Sequence, residues 1–170
     1  MPMGVNHVSF KDLSTTQQEL VFSAQKVMSK AYNIYSDYFV GASVRTKKGG
    51  IYSSANMENS SYGLSICAEV GAIQQAISSG DPEITTIAVC GGFNSENKGK
   101  TPTPCGRCRQ LIYESSQISS IDLEVICANS DLSGIIITKI SDLLPLPFGS
   151  KDLHLDLKIK EIKKRIKKSK

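Results

Sequence analysis

Cys67-Ala68-Glu69 and, thirty-odd residues further on, Pro104-Cys105-Gly106-Arg107-Cys108 ask for a fold that brings two distant stretches to one point. Proline is tolerated where the first amides of a helix lack partners, so Pro104 opens a helix predicted over 106–115. Cys105 and Cys108 then fall in or near its first turn, on one face. Cys67 likewise starts a helix predicted over 65–79. Two helix N-termini would meet there, and their positive dipole ends favour thiolate over thiol. Three thiolates suit zinc and leave a fourth tetrahedral position for water, which catalytic zinc sites keep and structural ones close. Residues two apart on a helix lie about 200° apart around its axis. Glu69 therefore points away from an ion held by Cys67 and serves as a general acid/base beside it. A redox pair, or a structural site closed by Cys90, Cys127, His7 or His154, would use the same Cys-x-x-Cys. Neither accounts for Pro104 or for the Cys-x-Glu upstream.

Around these motifs, periodicity predicts a first helix over 15–31, capped by Ser14, with Leu20, Val21, Ala24, Val27 and Met28 as its buried stripe. Strands are predicted over 38–46 and 51–56 about the turn Lys47-Lys48-Gly49-Gly50, then over 84–90 after the break Gly80-Asp81-Pro82. A polar loop is expected over 94–103, and the last strands over 123–128 and 135–139. Strands alternating with helices give a mixed α/β sheet covered on both faces.

The 170 residues fit one domain. Residues 157–170 hold eight Lys/Arg against Glu161, a net +7 that leaves −3 on residues 1–156 although the whole chain is +4. The basicity thus belongs to a tail, which electrostatics would let attract RNA, DNA or anionic lipid. Ile159, Ile162 and Ile166 recur at helical spacing, but no aromatic residue interleaves with the lysines, and a solvated, frayed extension is expected. No apolar run spans a bilayer and the first ten residues lack a secretory pattern, so a cytoplasmic location without membrane attachment is expected. Five cysteines in such a chain fit a metal site plus two spares, with Cys90 and Cys127 in core segments.

The zinc motifs match the arrangement by which zinc-dependent base deaminases are described. With Tyr35-Ser36-Asp37-Tyr38-Phe39-Val40-Gly41-Ala42, Asn56-Met57-Glu58-Asn59, Ser61-Tyr62-Gly63-Leu64, Cys108-Arg109-Gln110, Leu143-Leu144-Pro145 and Phe148-Gly149, the chain resembles the small three-cysteine cytidine deaminases from about Ala31 to Phe148. The resemblance implies a three-layer α/β/α sandwich with a mixed five-stranded sheet, and a catalytic domain over 1–156 followed by the basic tail, 157–170. It implies one zinc per chain on Cys67, Cys105 and Cys108, with water activated there attacking C4 of cytosine while Glu69 moves the protons. The Ala68 amide would meet O2, the Thr103 carbonyl would accept from the leaving amino group, and Asn56 with Glu58 would grip the ribose 3′-hydroxyl. Family members often have Ser at the Thr103 position.

The same resemblance implies a homotetramer with shared sites, Phe148 reaching a neighbour's base pocket and Tyr62 approaching a neighbour's ribose 5′-hydroxyl. Two positions depart from the pattern. Val70 stands where an Arg often tempers the thiolate charge, so Arg107 and Arg109 are the candidates to replace it; a solvent-facing Arg107 is the alternative. Tyr38 stands where a Phe lies against the pyrimidine, adding a hydroxyl that needs a partner when buried. Conversion of cytidine, and of 2′-deoxycytidine, to the uridine nucleoside in pyrimidine salvage is the implied activity. Its rivals are a deaminase of another cytosine-bearing metabolite, as in the blasticidin S deaminases, against which Asn56-Met57-Glu58 argues, and a nucleic-acid-binding or editing protein acting weakly through the tail.

Overall fold

Among the described residues six strands form one sheet: Asn6–Val8 (β1), Tyr38–Thr46 (β2), Ile51–Ala55 (β3), Ile84–Phe93 (β4), Glu124–Asn129 (β5) and Ile135–Lys139 (β6). In this computed structural model, which describes residues 4–93 and 100–168, their order is β1-β6-β5-β4-β2-β3. Only β4 and β5 run parallel, and every other neighbouring pair is antiparallel. Side chains alternate across a strand, and here the alternation builds two cores. Ile87 and Val89, with Val125 and Cys127, face the helices Ala68–Ser78 (α2) and Gly106–Ser119 (α3). Ala88 and Cys90, with Ile126 and Ala128, face the helix Thr15–Val27 (α1). The three-layer sandwich is as expected.

The sixth strand corrects the expected five. Asn6–Val8 pairs with β6 through Asn6↔Ile137, His7↔Ile136 and Val8↔Ile135. Three largely exposed residues without apolar alternation give no strand signal, yet they cover an edge that would otherwise offer unpaired amides. Ser14 caps α1 as expected, its Oγ accepting from the Gln17 amide while Gln17 Oε1 accepts from the Ser14 amide. Gly41 lets α1 close onto β2, since a Cβ there would lie 2.0 Å from the Ala24 carbonyl oxygen.

Two boundaries shift near the cysteines. The helix expected from Ser65 begins at Ala68, because Ile66 pairs with Met57 in an antiparallel bridge and holds residues 65 and 66 extended. The strand expected to reach Asn56 ends at Ala55. Of the polar loop expected over 94–103, residues 94–99 lie outside the described residues.

The tail differs most. Residues Asp156–Lys168 form a helix (α5) rather than a frayed end, although none of its residues is buried. Lys163 Nζ donates to Glu83 Oε1 and to the Ile118 carbonyl, both at 3.1 Å, and Lys167 joins it on Glu83. Ile118 sits in the last turn of α3, where unpaired carbonyls and the negative dipole end attract a cation. The Lys167 ammonium, more than Lys163, holds the Glu83 carboxyl below the usual carboxylate range. A depressed carboxylate stabilises above its unfolded pKa and loses that contribution as pH falls through the folded value. Docking of α5 should accordingly weaken in acid and in salt, read as faster amide exchange over 156–168 at pH 3 than at pH 7 after correction for intrinsic rates. Equal protection at both would break the link to Glu83.

Candidate functional site

Cys67 and Cys105 are the N-cap residues of α2 and α3, with extended backbones of φ −69°, ψ 149° and φ −66°, ψ 167°. Neither thiol caps its own helix, so both are free to meet Cys108 in the first turn of α3. The three sulfurs lie within 4.8 Å of one another, and among the described residues the group closes at three. Cys90 and Cys127, candidates for a fourth ligand, are buried in the core, where burial pushes both thiols up to about 12. Cys67 moves the other way, down to about 6. Hydrogen bonding with Cys108 is the largest cause, Cys105 and the Arg107 charge assist, and burial and the Glu69 charge oppose it. Cys108 is raised by its bond to Cys67 and by burial. One thiolate thus draws on its neighbours' thiol protons, an arrangement that a soft divalent cation in their place would complete.

Glu69, in the first turn of α2, is only 4 % exposed. Burial raises its pKa, against opposing hydrogen bonds from its own amide and the Cys108 thiol. Ala68 is fully buried, and its amide, the first of the helix, has no intrahelical partner. Both residues line a cleft of about 490 Å³ together with Cys67, Cys105 and Thr103. Asn56 and Glu58 line it too, although outside any strand. Asn56 Oδ1 accepts from the Val40 amide at 2.9 Å and its Nδ2 donates to the Tyr38 carbonyl at 3.0 Å. Glu58 accepts from the Tyr35 and Ser36 amides at 2.8 and 3.2 Å and from the Ser36 hydroxyl, and that hydroxyl, first among the causes, lowers its pKa.

Tyr38 is half-buried, its ring edge-on to Phe93 at 4.8 Å, and burial raises its pKa. Tyr62 stands at the cleft's rim, 75 % exposed and edge-on to Tyr35 at 6.0 Å. Phe148 is 64 % exposed and is not among the residues lining the cleft of its own chain. Arg107 is exposed, and its charge is the weakest of the influences on Cys67. Arg109 directs its guanidinium to the Pro104 and Leu143 carbonyls and the Thr103 hydroxyl. The lining also includes Val40, Met57, Ile66 and Val89, apolar residues the sequence left unassigned. Ile66, placed directly before Cys67, was the one available signal.

A family model described as the cytidine and deoxycytidylate deaminase zinc-binding region matches residues 14–123, which include the three cysteines and Glu69. The chain belongs to that family. Among curated members, a probable cytidine deaminase of Dictyostelium discoideum is 38 % identical over 140 residues, spanning 81 % of this chain and 88 % of its own. A cytidine deaminase of Halalkalibacterium halodurans is 36 % identical, spanning 81 % and 98 %. A blasticidin-S deaminase of Bacillus cereus also matches, at 32 % over 81 % and 97 %. The crystal structure of a cytidine deaminase from Burkholderia pseudomallei superposes with a TM-score of 0.69 at 36 % identity, over 80 % of this chain and all of that one. In this zinc-binding family the Cys67-Cys105-Cys108 triad is the donor set that fits the ion, with soft ligands, a convergent geometry and no fourth protein group among the described residues. No helix among the described residues is long and apolar enough to cross a membrane.

Proposed function

We propose that this chain hydrolyses cytidine and 2′-deoxycytidine to the uridine nucleosides and ammonia, as a cytoplasmic enzyme of pyrimidine salvage working as a homotetramer with shared sites. The observation that carries this reading is a buried carboxylate, Glu69, beside three convergent thiols on the wall of a nucleoside-sized cleft. Zinc held by Cys67, Cys105 and Cys108 would supply a Lewis acid that lowers the pKa of water. Glu69, its pKa raised by burial, is poised to take one proton from the attacking water and pass it to N3, then to take the second proton from the same oxygen and give it to the departing amine. The Ala68 amide donates to O2, the Thr103 carbonyl accepts a hydrogen bond from the leaving amino group, and Tyr38 offers its ring to the base.

Asn56 and Glu58 retain the capacity to read a sugar hydroxyl. After the bonds above, Asn56 keeps one N–H donor and Glu58 at least one lone pair. Donor and acceptor together match a hydroxyl, which both accepts and donates. None of these residues requires a 2′-hydroxyl. Asn56→Ala and Glu58→Gln should each raise KM for cytidine about tenfold with zinc retained, since they remove substrate binding rather than chemistry. An unchanged KM would overturn the sugar-reading role.

Tyr62 and Phe148 would complete neighbouring sites in the tetramer, in keeping with their exposure. Residues 1–156 would carry the catalysis and 157–170 would add little. Deleting 157–170 should leave cytidine turnover within about twofold and reduce salt-sensitive attraction to polyanions. Loss of cytidine absorbance, compared across cytidine, deoxycytidine, CMP, blasticidin S and an oligonucleotide, tests the assignment. Preference for blasticidin S or for the oligonucleotide would replace it.

A further inference from the structure

Arg109 follows a metal ligand directly, yet its hydrogen bonds run elsewhere. Nε donates to the Pro104 carbonyl at 2.8 Å, Nη1 to the Leu143 carbonyl at 3.0 Å and Nη2 to Thr103 Oγ1 at 3.1 Å. The acceptors lie on two stretches of chain far apart in sequence. One, residues 101–105, belongs to no helix or strand, and its members Pro102, Thr103 and Cys105 line the cleft. The other begins at Leu143, the end of the short helix Ile140–Leu143 (α4), and leads to the exposed Phe148. The next residue, Gln110, holds that second stretch as well, its Nε2 donating to the Phe148 carbonyl at 2.9 Å.

A segment without secondary structure owes its position to whatever bonds its polar groups. Thr101 Oγ1 donates to the Gly134 carbonyl at 3.0 Å at one end of the first segment; at the end nearer the cysteines, the Arg109 guanidinium takes its place. A guanidinium is planar, with donors in fixed directions, and its bonds are charge-assisted, so three acceptors on one fork are fixed in angle as well as distance. A lysine offers a single movable ammonium instead. Since α3 anchors the fork and the first metal-binding turn alike, cleft wall and cysteines are held in one frame.

We infer that Arg109 is a positioning residue that, by bonding Thr103 and the adjoining Pro104, fixes the Pro102–Thr103 wall of the cleft against the metal-binding turn, and that it does not act as the thiolates' counter-charge. The inference deepens the proposed deamination and rests on that reading for its kinetic consequence. Displacement of the wall would move the backbone that faces the reacting amino group, and a misplacement of about 1 Å is enough to cost on the order of a hundredfold.

The test is Arg109→Gln, with Arg109→Lys beside it, in the zinc-loaded full-length chain. Arg109→Gln should lower kcat/KM for cytidine about tenfold or more, with zinc content unchanged and Arg109→Lys intermediate. The ratio of kcat/KM for cytidine to that for N4-methylcytidine is independent of how much enzyme is folded. It should fall roughly tenfold, as a loosened wall stops discriminating a methyl group. Hydrogen exchange should quicken in peptides covering 100–105 and 143–149 and not in β4 or β5, a readout that needs no turnover. If the parent chain deaminates no cytosine nucleoside while this exchange pattern appears, the proposed activity fails and the positioning role stands. An unchanged substrate ratio, or zinc lost in step with activity, would overturn the inference. Should Arg109→Gln fail to fold, Thr103→Val removes one acceptor alone. It should lower the same ratio by a smaller factor, and an unchanged ratio there would count equally against the proposal.

Discussion

Glu69→Gln is expected to keep the fold and the zinc and to lower kcat by about 10²–10⁴-fold. Glutamine preserves the shape of a side chain that is almost wholly enclosed, so packing barely changes. What disappears is a group able both to accept and to release a proton. Burial matters to the size of the effect: it raises the Glu69 pKa, bringing acid and base forms closer in energy at the pH where the enzyme would work. The carboxylate also lies within hydrogen-bonding reach of Cys108, so zinc content must be measured in the same samples. A variant that holds zinc and still turns over at more than a few per cent of the parent rate would remove Glu69 from the reaction.

The second large effect is loss of the metal. Cys105→Ala and Cys108→Ala should each reduce zinc from about one per chain to near zero and abolish deamination, because two thiolates cannot hold a site built for three. Cys90→Ala and Cys127→Ala should retain it. Cys127 is the sharper control, since it lies on the sheet face that carries α2 and α3 and the Glu69 charge reaches it. Metal analysis by mass spectrometry decides the matter. Zinc missing from the Cys127 variant would mean a closed four-sulfur site and would end the catalytic reading.

The metal site was legible because its signals are local. Pro104 and the Cys-x-x-Cys spacing announce a helix start, and Glu69 stands two residues from Cys67. What escaped depends on distant partners. Nothing near Lys163 or Lys167 points to Glu83, some eighty residues earlier, so the tail looked solvated. Arg109 sits among thiolates in sequence, which suggested a counter-charge, whereas two of its three acceptors are backbone carbonyls and one of those belongs to residue 143. The start of α2 was misplaced because Ile66 is bridged to Met57, nine residues earlier, which holds the chain before Ala68 out of the helix. Asn56 and Glu58 line the cleft outside any strand, held by side-chain bonds to backbone 16 and 23 residues away, partners that no local pattern names.

The parallel pairing of β4 with β5 bears on when the ion can arrive. Parallel neighbours need a crossover between them, and here that crossover includes α3, which carries Cys108 and has Cys105 at its N-cap position. During synthesis Cys67 emerges first and waits alone. Its partners lie on the crossover that β5 closes beside β4, a contact of long sequence separation of the kind that forms slowly. The three sulfurs converge in the same fold that this pairing closes, so metal affinity is tied to sheet closure. Zinc content would then report on closure of the β4–β5 pairing as well as on the cysteines themselves.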